Sequence, residues 1–249
     1  MTRPAVEVCF TPREIRPAEV AVVVDVLRAT STIVQALAAG YPRVLCCRSV
    51  ATARSLRANG RVLAGERDCV RVPDFELGNS PAAVAATGRD GNELVLATTN
   101  GSPAIVAASS AAPRVLIGCL LNLRAVLDAI RAETAVTIVC SGTDGRPALE
   151  DVYVAGRLVA ALDGTRSDAA RLAERVASGY PAPLEPLAES EGGARLRATG
   201  QEPDIAWCAR ESPLAVVPEV CSTEDEVAVV RSSHKYLPMD YDKEFAGSF

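Results

Sequence analysis

Asp25 and Arg28 stand three residues apart in VVVDVLRATSTIVQALAAG (22–40), where an apolar run ends and a hydroxyl row, Thr30, Ser31 and Thr32, begins. A carboxylate at the end of a buried strand, with an arginine and free backbone N–H groups beside it, suits an anion and a divalent metal. A second arrangement satisfies the same residues: Thr30 or Ser31 caps the next helix while Arg28 pairs with Asp25. Glu66 in GER (65–67) and Glu150-Asp151 in ALED (148–151) are further acids that, with Asp25, could surround Mg²⁺. That ion takes a few carboxylates and completes its octahedron with water. It activates water and neutralises a phosphoryl group. Glu150-Asp151 also reads as a solvated first helical turn favoured by the dipole.

Two other chemistries compete. Cys140-Ser-Gly-Thr-Asp-Gly-Arg146 fits C-x₅-R, the loop in which a thiolate attacks a phosphate cradled by backbone N–H groups and an arginine. The residue before Cys140 is Val139, where tyrosine-phosphatase-like loops carry histidine. Asp25 itself could be the nucleophile, since VVVDVLRAT resembles the first motif of haloacid-dehalogenase-type phosphatases, DxDx[TV]. Leu27 stands in place of the second aspartate and removes the usual general acid. His234 is the single histidine, which leaves phosphohistidine or Ser-His-Asp mechanisms only a residue near the C-terminus.

The elements that must hold these residues follow from periodicity. Apolar runs at 21–24, 43–47, 61–66, 93–98, 114–119 and 135–140 read as strands. Helical spacing follows them at 29–39, 50–58, 82–87, from Ser102-Pro103 onward, through Leu127 and Ile130, and from Tyr153 to Leu162. Strands alternating with helices across short loops predict an α/β fold, layered α/β/α, with a mainly parallel or mixed sheet. Asp25, Glu66, Thr99-Asn100-Gly101 and Cys140-Ser141-Gly142 each lie just past a strand and should gather along one sheet edge. SDAARLAERVAS (167–178) reads as a helix begun by Ser167, and 179–200 as a surface excursion or helical lobe. DIAWC (204–208) and LAVVP (214–218) read as the last elements of one domain, 1–220, or of two tightly joined halves. Residues 221–249, which hold both lysines (Lys235, Lys243) and two of the four phenylalanines (Phe245, Phe249), read as an appended tail.

Composition bounds the function. With 49% hydrophobic and 23% charged residues the chain is an ordinary globular one. A net charge of −5 argues against a nucleic-acid partner bound by bulk charge. No apolar run of about 18 residues is present, so no membrane span is expected. No basic-then-apolar leader is seen, and a reducing cytoplasm is the expected location for the eight cysteines, which contain no C-x-x-C pair.

Taken in order, DVLRATSTI (25–33), GER (65–67), LGNSP (77–81), TTNG (98–101), CSGTDG (140–145) with ALED, and DIAWC with VVP resemble the 2-phosphosulfolactate phosphatase family of coenzyme M biosynthesis. The resemblance implies a layered α/β fold, Mg²⁺, and hydrolysis of a phosphate ester next to acidic groups. On our reading of the residues, Asp25 with one or more of Glu66, Glu150 and Asp151 would hold the metal. Catalysis falls to Asp25, Arg28, Asp151 and, on the rival reading, Cys140. Arg28 and the N–H groups of the 141–145 loop, with Ser141, Gly142 and Arg146, would bind the phosphoryl group. Thr30, Ser31, Thr32, Arg67, Asn79, Ser80, Thr99, Asn100 and Gly101 would hold the rest of a small phosphorylated acid. The loop before GNSP departs from the family at Asp68-Cys69 and Pro73-Asp74-Phe75-Glu76, a candidate for substrate selection. A homo-oligomer, and a non-hydrolytic lyase or binding protein of the same fold, stay open.

Overall fold

The computed structural model describes residues 5–87 and 91–233. β1 (Ala5–Cys9) opens the chain, followed by β2 (Val20–Val24), α1 (Ala29–Ala38), β3 (Val44–Cys47) and α2 (Val50–Ser55). Then come β4 (Arg61–Arg67), β5 (Val70–Arg71), α3 (Pro81–Thr87), β6 (Glu93–Ala97) and α4 (Gly101–Ser109). β7 (Arg114–Gly118), α5 (Leu123–Ile130), β8 (Ala135–Cys140) and α6 (Leu149–Ala160) complete the alternation. After β9 (Thr165–Arg166) run α7 (Asp168–Ser178), α8 (Leu184–Glu189), α9 (Glu191–Ala198) and α10 (Pro203–Cys208). A hairpin of β10 (Pro218–Glu224) and β11 (Val227–Ser232) follows.

All strands join one mixed sheet in the order β5-β4-β6-β3-β11-β10-β7-β2-β8-β1-β9. It consists of two parallel blocks, β4-β6-β3 and β7-β2-β8-β1-β9. The hairpin sits between them and pairs antiparallel with β3 on one side and β7 on the other. Three successive antiparallel pairings make the two blocks run in opposite directions. Twist of roughly 20–25° per strand then accumulates to more than about 100° between β2 and β6, turning their carboxyl ends toward one another.

β2 shows why the central strands lack polar alternation. All five of its residues are buried. Val20, Val22 and Val24 pack toward α5, α6 and α7, while Ala21 and Val23 pack on the opposite face toward α1 and α4. Helices on both faces leave no solvated side, giving the layered α/β architecture. α6 and α7 pack through Gly156, where a Cβ would lie 2.0 Å from the Ala173 carbonyl oxygen.

Two strands that the periodicity leaves out, β1 and β9, extend one side of the sheet. DIAWC forms the short helix α10. The composition boundary at 220 falls inside β10, so residues 221–232 are sheet rather than appendage; covered on both flanks, they carry buried Ala228 and Val230. His234, Lys235, Lys243, Phe245 and Phe249, on which the tail reading rested, lie outside the described residues. Ending the chain after Val220 should therefore split the sheet between β3 and β7. The truncated protein is expected to lose cooperative thermal unfolding and near-ultraviolet circular dichroism; retention of both would show that the hairpin is dispensable.

Candidate active site

The ends of β2, β4, β6 and β8 converge on the start of α4. Asp25, the residue after β2, is 6% exposed. Its Oδ1 accepts the Ala29 N–H at 2.9 Å, capping the first turn of α1, and its Oδ2 accepts the Ser141 hydroxyl at 2.9 Å. Gly101 leaves room for it, since a Cβ there would lie 2.5 Å from Asp25 Oδ2. Asp151 approaches from α6. Its Oδ1 accepts the Val26 N–H at 2.9 Å, and its Oδ2 lies 3.1 Å from both the Ser141 hydroxyl and the Gly142 nitrogen. A hydroxyl owns one hydrogen, so Ser141 serves one of these acids, and the other needs a proton or a cation.

The titration of these acids is set first by burial. Burial raises Asp25 to about 6, with the charge of Glu66 adding to it. Burial and then the charges of Asp25 and Glu150 hold Asp151 well above the ordinary carboxylate range. Glu150 is raised by burial to about 7, and its Oε2 has no hydrogen-bond partner among the described residues. Glu66 is better satisfied: Oε1 accepts the Thr99 N–H at 2.7 Å, and Oε2 accepts the Cys69 N–H at 2.9 Å and the Thr99 hydroxyl at 3.2 Å.

In front of this cluster lies a small cleft that opens to solvent. Asp25, Glu66 and Asp68 are its acids, Arg28 and Arg195 its bases, and Leu27, Cys69, Asn79, Thr98, Thr99, Asn100, Thr143 and Gly192 complete the wall. Arg28 is 2% exposed and pairs not with Asp25 but with Asp204 of α10, 2.5 Å from Nη1. The same nitrogen donates to Gln201 Oε1. Ser80 donates to the other oxygen of Asp204 at 2.8 Å. Every hydrogen bond of Arg28 to a described residue runs through Nη1, which leaves Nε and Nη2 for a ligand.

A family model, described as 2-phosphosulpholactate phosphatase, matches residues 9–223. The chain belongs to this family. A probable 2-phosphosulfolactate phosphatase of Pseudothermotoga lettingae is 39% identical over 215 residues, 86% of this chain and 94% of its own. Proteins of the same name from Thermus thermophilus and Deinococcus radiodurans are 37% and 38% identical, covering 80% and 83% of this chain and 87% and 90% of their own.

Seen on the family's fold, the residues singled out by sequence divide. Asp25, Arg28, Glu66, Asn79, Thr99 and Asn100 line the cleft. Cys140 does not: it is fully buried in the apolar cluster around α6, and burial and Asp151 push its thiol far up. Arg146 pairs instead with Glu191 on the surface, at 3.2 Å. Nor is the 141–146 loop an open anion cradle. The N–H groups of Ser141, Gly142, Thr143 and Arg146 are taken by Val24 O, Asp151 Oδ2, Arg146 O and Thr143 O. The thiolate arrangement is therefore absent. Leu27 faces the cleft where a second aspartate would be needed, so the dehalogenase-type acid is missing too.

Other candidates turn inward. The hydroxyl of Thr30 donates to Asp25 O and that of Ser31 to Val26 O, while Thr32 Oγ1 is buried without a partner, away from the cleft wall. Arg67 folds back onto Glu66 O. Ser80 acts through Asp204, and Gly101 through the space it gives Asp25. Ser141, Gly142, Glu150 and Asp151 form the layer behind the wall. Asp68 and Cys69 do border the cleft, whereas Asp74 and Glu76 pair outward with Arg54 and Arg57, and Phe75 is core. Sequence reasoning missed Gln201, Asp204 and Arg195. Asp204 begins the DIAWC stretch and could have been paired with the buried arginine; Arg195 gave no signal.

Carboxylates raised by burial stabilise the fold while protonated and weaken it once ionised. Stability from Asp25, Glu150 and Asp151 is complete below about pH 4, their ordinary range. It is lost as pH rises through about 6 and about 7, the folded values of Asp25 and Glu150. The metal-free protein should thus melt at a lower temperature at pH 8 than at pH 5, and Glu150→Gln should flatten that slope. Equal Tm at both pH values in the unmutated protein would contradict the buried-acid picture.

Proposed function

We propose that the chain is a Mg²⁺-dependent phosphatase of a small polyacidic phosphate ester, with 2-phosphosulfolactate as its substrate. That it is a phosphoric monoester hydrolase follows from its family; the metal and the substrate are our reading. The observation carrying the reading is the cleft's own charge. Three acids against two arginines, one of them neutralised by Asp204, make a wall that repels a polyanion until a cation is added.

The donor set fits Mg²⁺, being all oxygen and short of positive charge. Among the described residues no group of three or more His, Cys, Asp or Glu is spaced to hold an ion. Mg²⁺ commonly binds through one or two carboxylates with waters and substrate phosphate completing the shell. Asp25 and Glu66, two of the three acids on the wall, would hold it. Bound there, it would neutralise phosphoryl oxygens and make a water more acidic.

The chain's own residues supply orientation. Arg28 presents Nε and Nη2 to the non-bridging phosphoryl oxygens, where charge spreads in the transition state. Asp204 and Gln201 fix its plane beforehand, so little reorganisation accompanies the reaction. Asn79 is 4% exposed with an unpartnered Oδ1, which can accept a hydrogen from the attacking water. Its amide orientation is one that a bound ligand would select. The eight free thiols support a reducing, cytoplasmic setting.

Phosphate release from 2-phosphosulfolactate should vanish in EDTA and return with Mg²⁺. Activity that survives EDTA would remove the metal from the reading, and silence of folded, Mg²⁺-loaded enzyme would remove the substrate. Arg28→Ala should lower turnover by about 10²–10³-fold, as loss of a preorganised transition-state donor does. Cys140→Ala should keep its turnover; its inactivation in a protein of unchanged Tm would restore the thiolate route.

A further inference from the structure

We propose that Arg195 anchors the acid group that the substrate carries beyond its phosphate, and that Asp144 holds the guanidinium until that group displaces it. The inference rests on the phosphatase reading above. The cleft contains two guanidiniums with unlike commitments. Arg28 is bound to a buried carboxylate and cannot leave it without stranding a charge. Arg195, on α9, has Asp144 as its partner at 2.6 Å, and both side chains are open to solvent, 39% and 47% exposed.

An exposed pair of this kind is held weakly, because water and salt screen it. An acid group entering the cleft meets the same guanidinium between protein walls, where screening is less. The planar fork of arginine fits a carboxylate or a sulfonate with two parallel hydrogen bonds. Among the described residues lining the cleft, Arg28 and Arg195 are the positive groups, so a substrate with acid functions besides the phosphate has Arg195 to meet them.

The exchange need not move the helix. A second tie, Arg146 to Glu191 at 3.2 Å, links α9 to the same loop that carries Asp144. That pair is itself exposed, so α9 is held by the packing of buried Gly193 and Leu196, and Arg195 changes partner by side-chain rotation.

The test compares unmutated enzyme, Arg195→Gln and Asp144→Asn on three esters, each with Mg²⁺. These are 2-phosphosulfolactate, 2-phospholactate, which lacks the sulfonate, and the phosphate ester of 2-hydroxyethanesulfonate, which lacks the carboxylate. Arg195→Gln should cut kcat/KM on 2-phosphosulfolactate by about tenfold to a hundredfold, the usual weight of hydrogen bonds to a charged group. The cut should be markedly smaller on the ester lacking the group that Arg195 binds. That is 2-phospholactate if the group is the sulfonate, and the hydroxyethanesulfonate ester if it is the carboxylate. Asp144→Asn should act in the opposite sense and lower KM for 2-phosphosulfolactate, because it removes the competitor. Equal losses on all three esters, or a KM raised by both variants as loss of a structural latch would cause, overturn the inference alone. An unmutated enzyme that releases phosphate from none of the esters overturns the phosphatase reading and this inference with it.

Discussion

Asp25 and Asp151 share one hydroxyl, and the architecture around them keeps two acids close and nearly dry. Each carboxylate is met by backbone N–H groups from its neighbours: Ala29 for Asp25, Val26 and Gly142 for Asp151. Those bonds offset part of the cost of removing charge from water. They also dictate local shape. The 25–29 turn folds back over its own aspartate, Gly101 lacks a side chain that would strike it, and the 141–146 loop spends the N–H groups of Ser141, Gly142, Thr143 and Arg146 on carboxylate and backbone. What protein groups leave uncompensated is net negative charge, and that is the property a divalent cation and a phosphate ester can use together.

The second constraint is the Arg28–Asp204 pair. Burying an arginine and an aspartate gains little by itself, but removing either would leave an unpaired charge in the interior. The pair therefore works as a registration pin. It fixes α10, and Ser80 brings the start of α3 to the same carboxylate. Gln201 extends the contact to the Cys69 carbonyl. Three separate walls of the cleft, the β2–α1 turn, the β5–α3 segment and the C-terminal helices, are held in one arrangement by a few side chains.

Much of this was legible in the chain. Periodicity placed β2, β3, β4, β6, β7 and β8, though not the short β5, and the rule that ligands meet strand ends put Asp25, Glu66, Thr99 and Asn100 in one place. Side-chain direction was not legible. Thr30, Ser31 and Arg67 have the right chemistry for a ligand, but local backbone carbonyls claimed them, and such short-range competition leaves no trace in residue spacing. The C-x₅-R pattern failed for a related reason: it records order along the chain, whereas reactivity depends on Cys140 being wet and near a cation, and it is neither. Composition also misled at residue 220. Val227–Val230 is an ordinary apolar strand, but its polar and charged surroundings masked it.

The hairpin has a bearing on how the protein comes into being. β10 and β11 leave the ribosome after every other described strand, yet they lie between blocks made long before. The β4-β6-β3 block pairs strands comparatively near in sequence, such as Arg61 with Glu93, whereas the other block already joins distant residues, such as Val20 with Arg114 and Ala5 with Ala135, and such contacts close slowly. Asp25 belongs to one block and Glu66 and Thr99 to the other. The sheet behind the cleft therefore stays open between β3 and β7 until β10 and β11 have been delivered, and only then are the strands that carry Asp25 and Glu66 joined in one continuous layer.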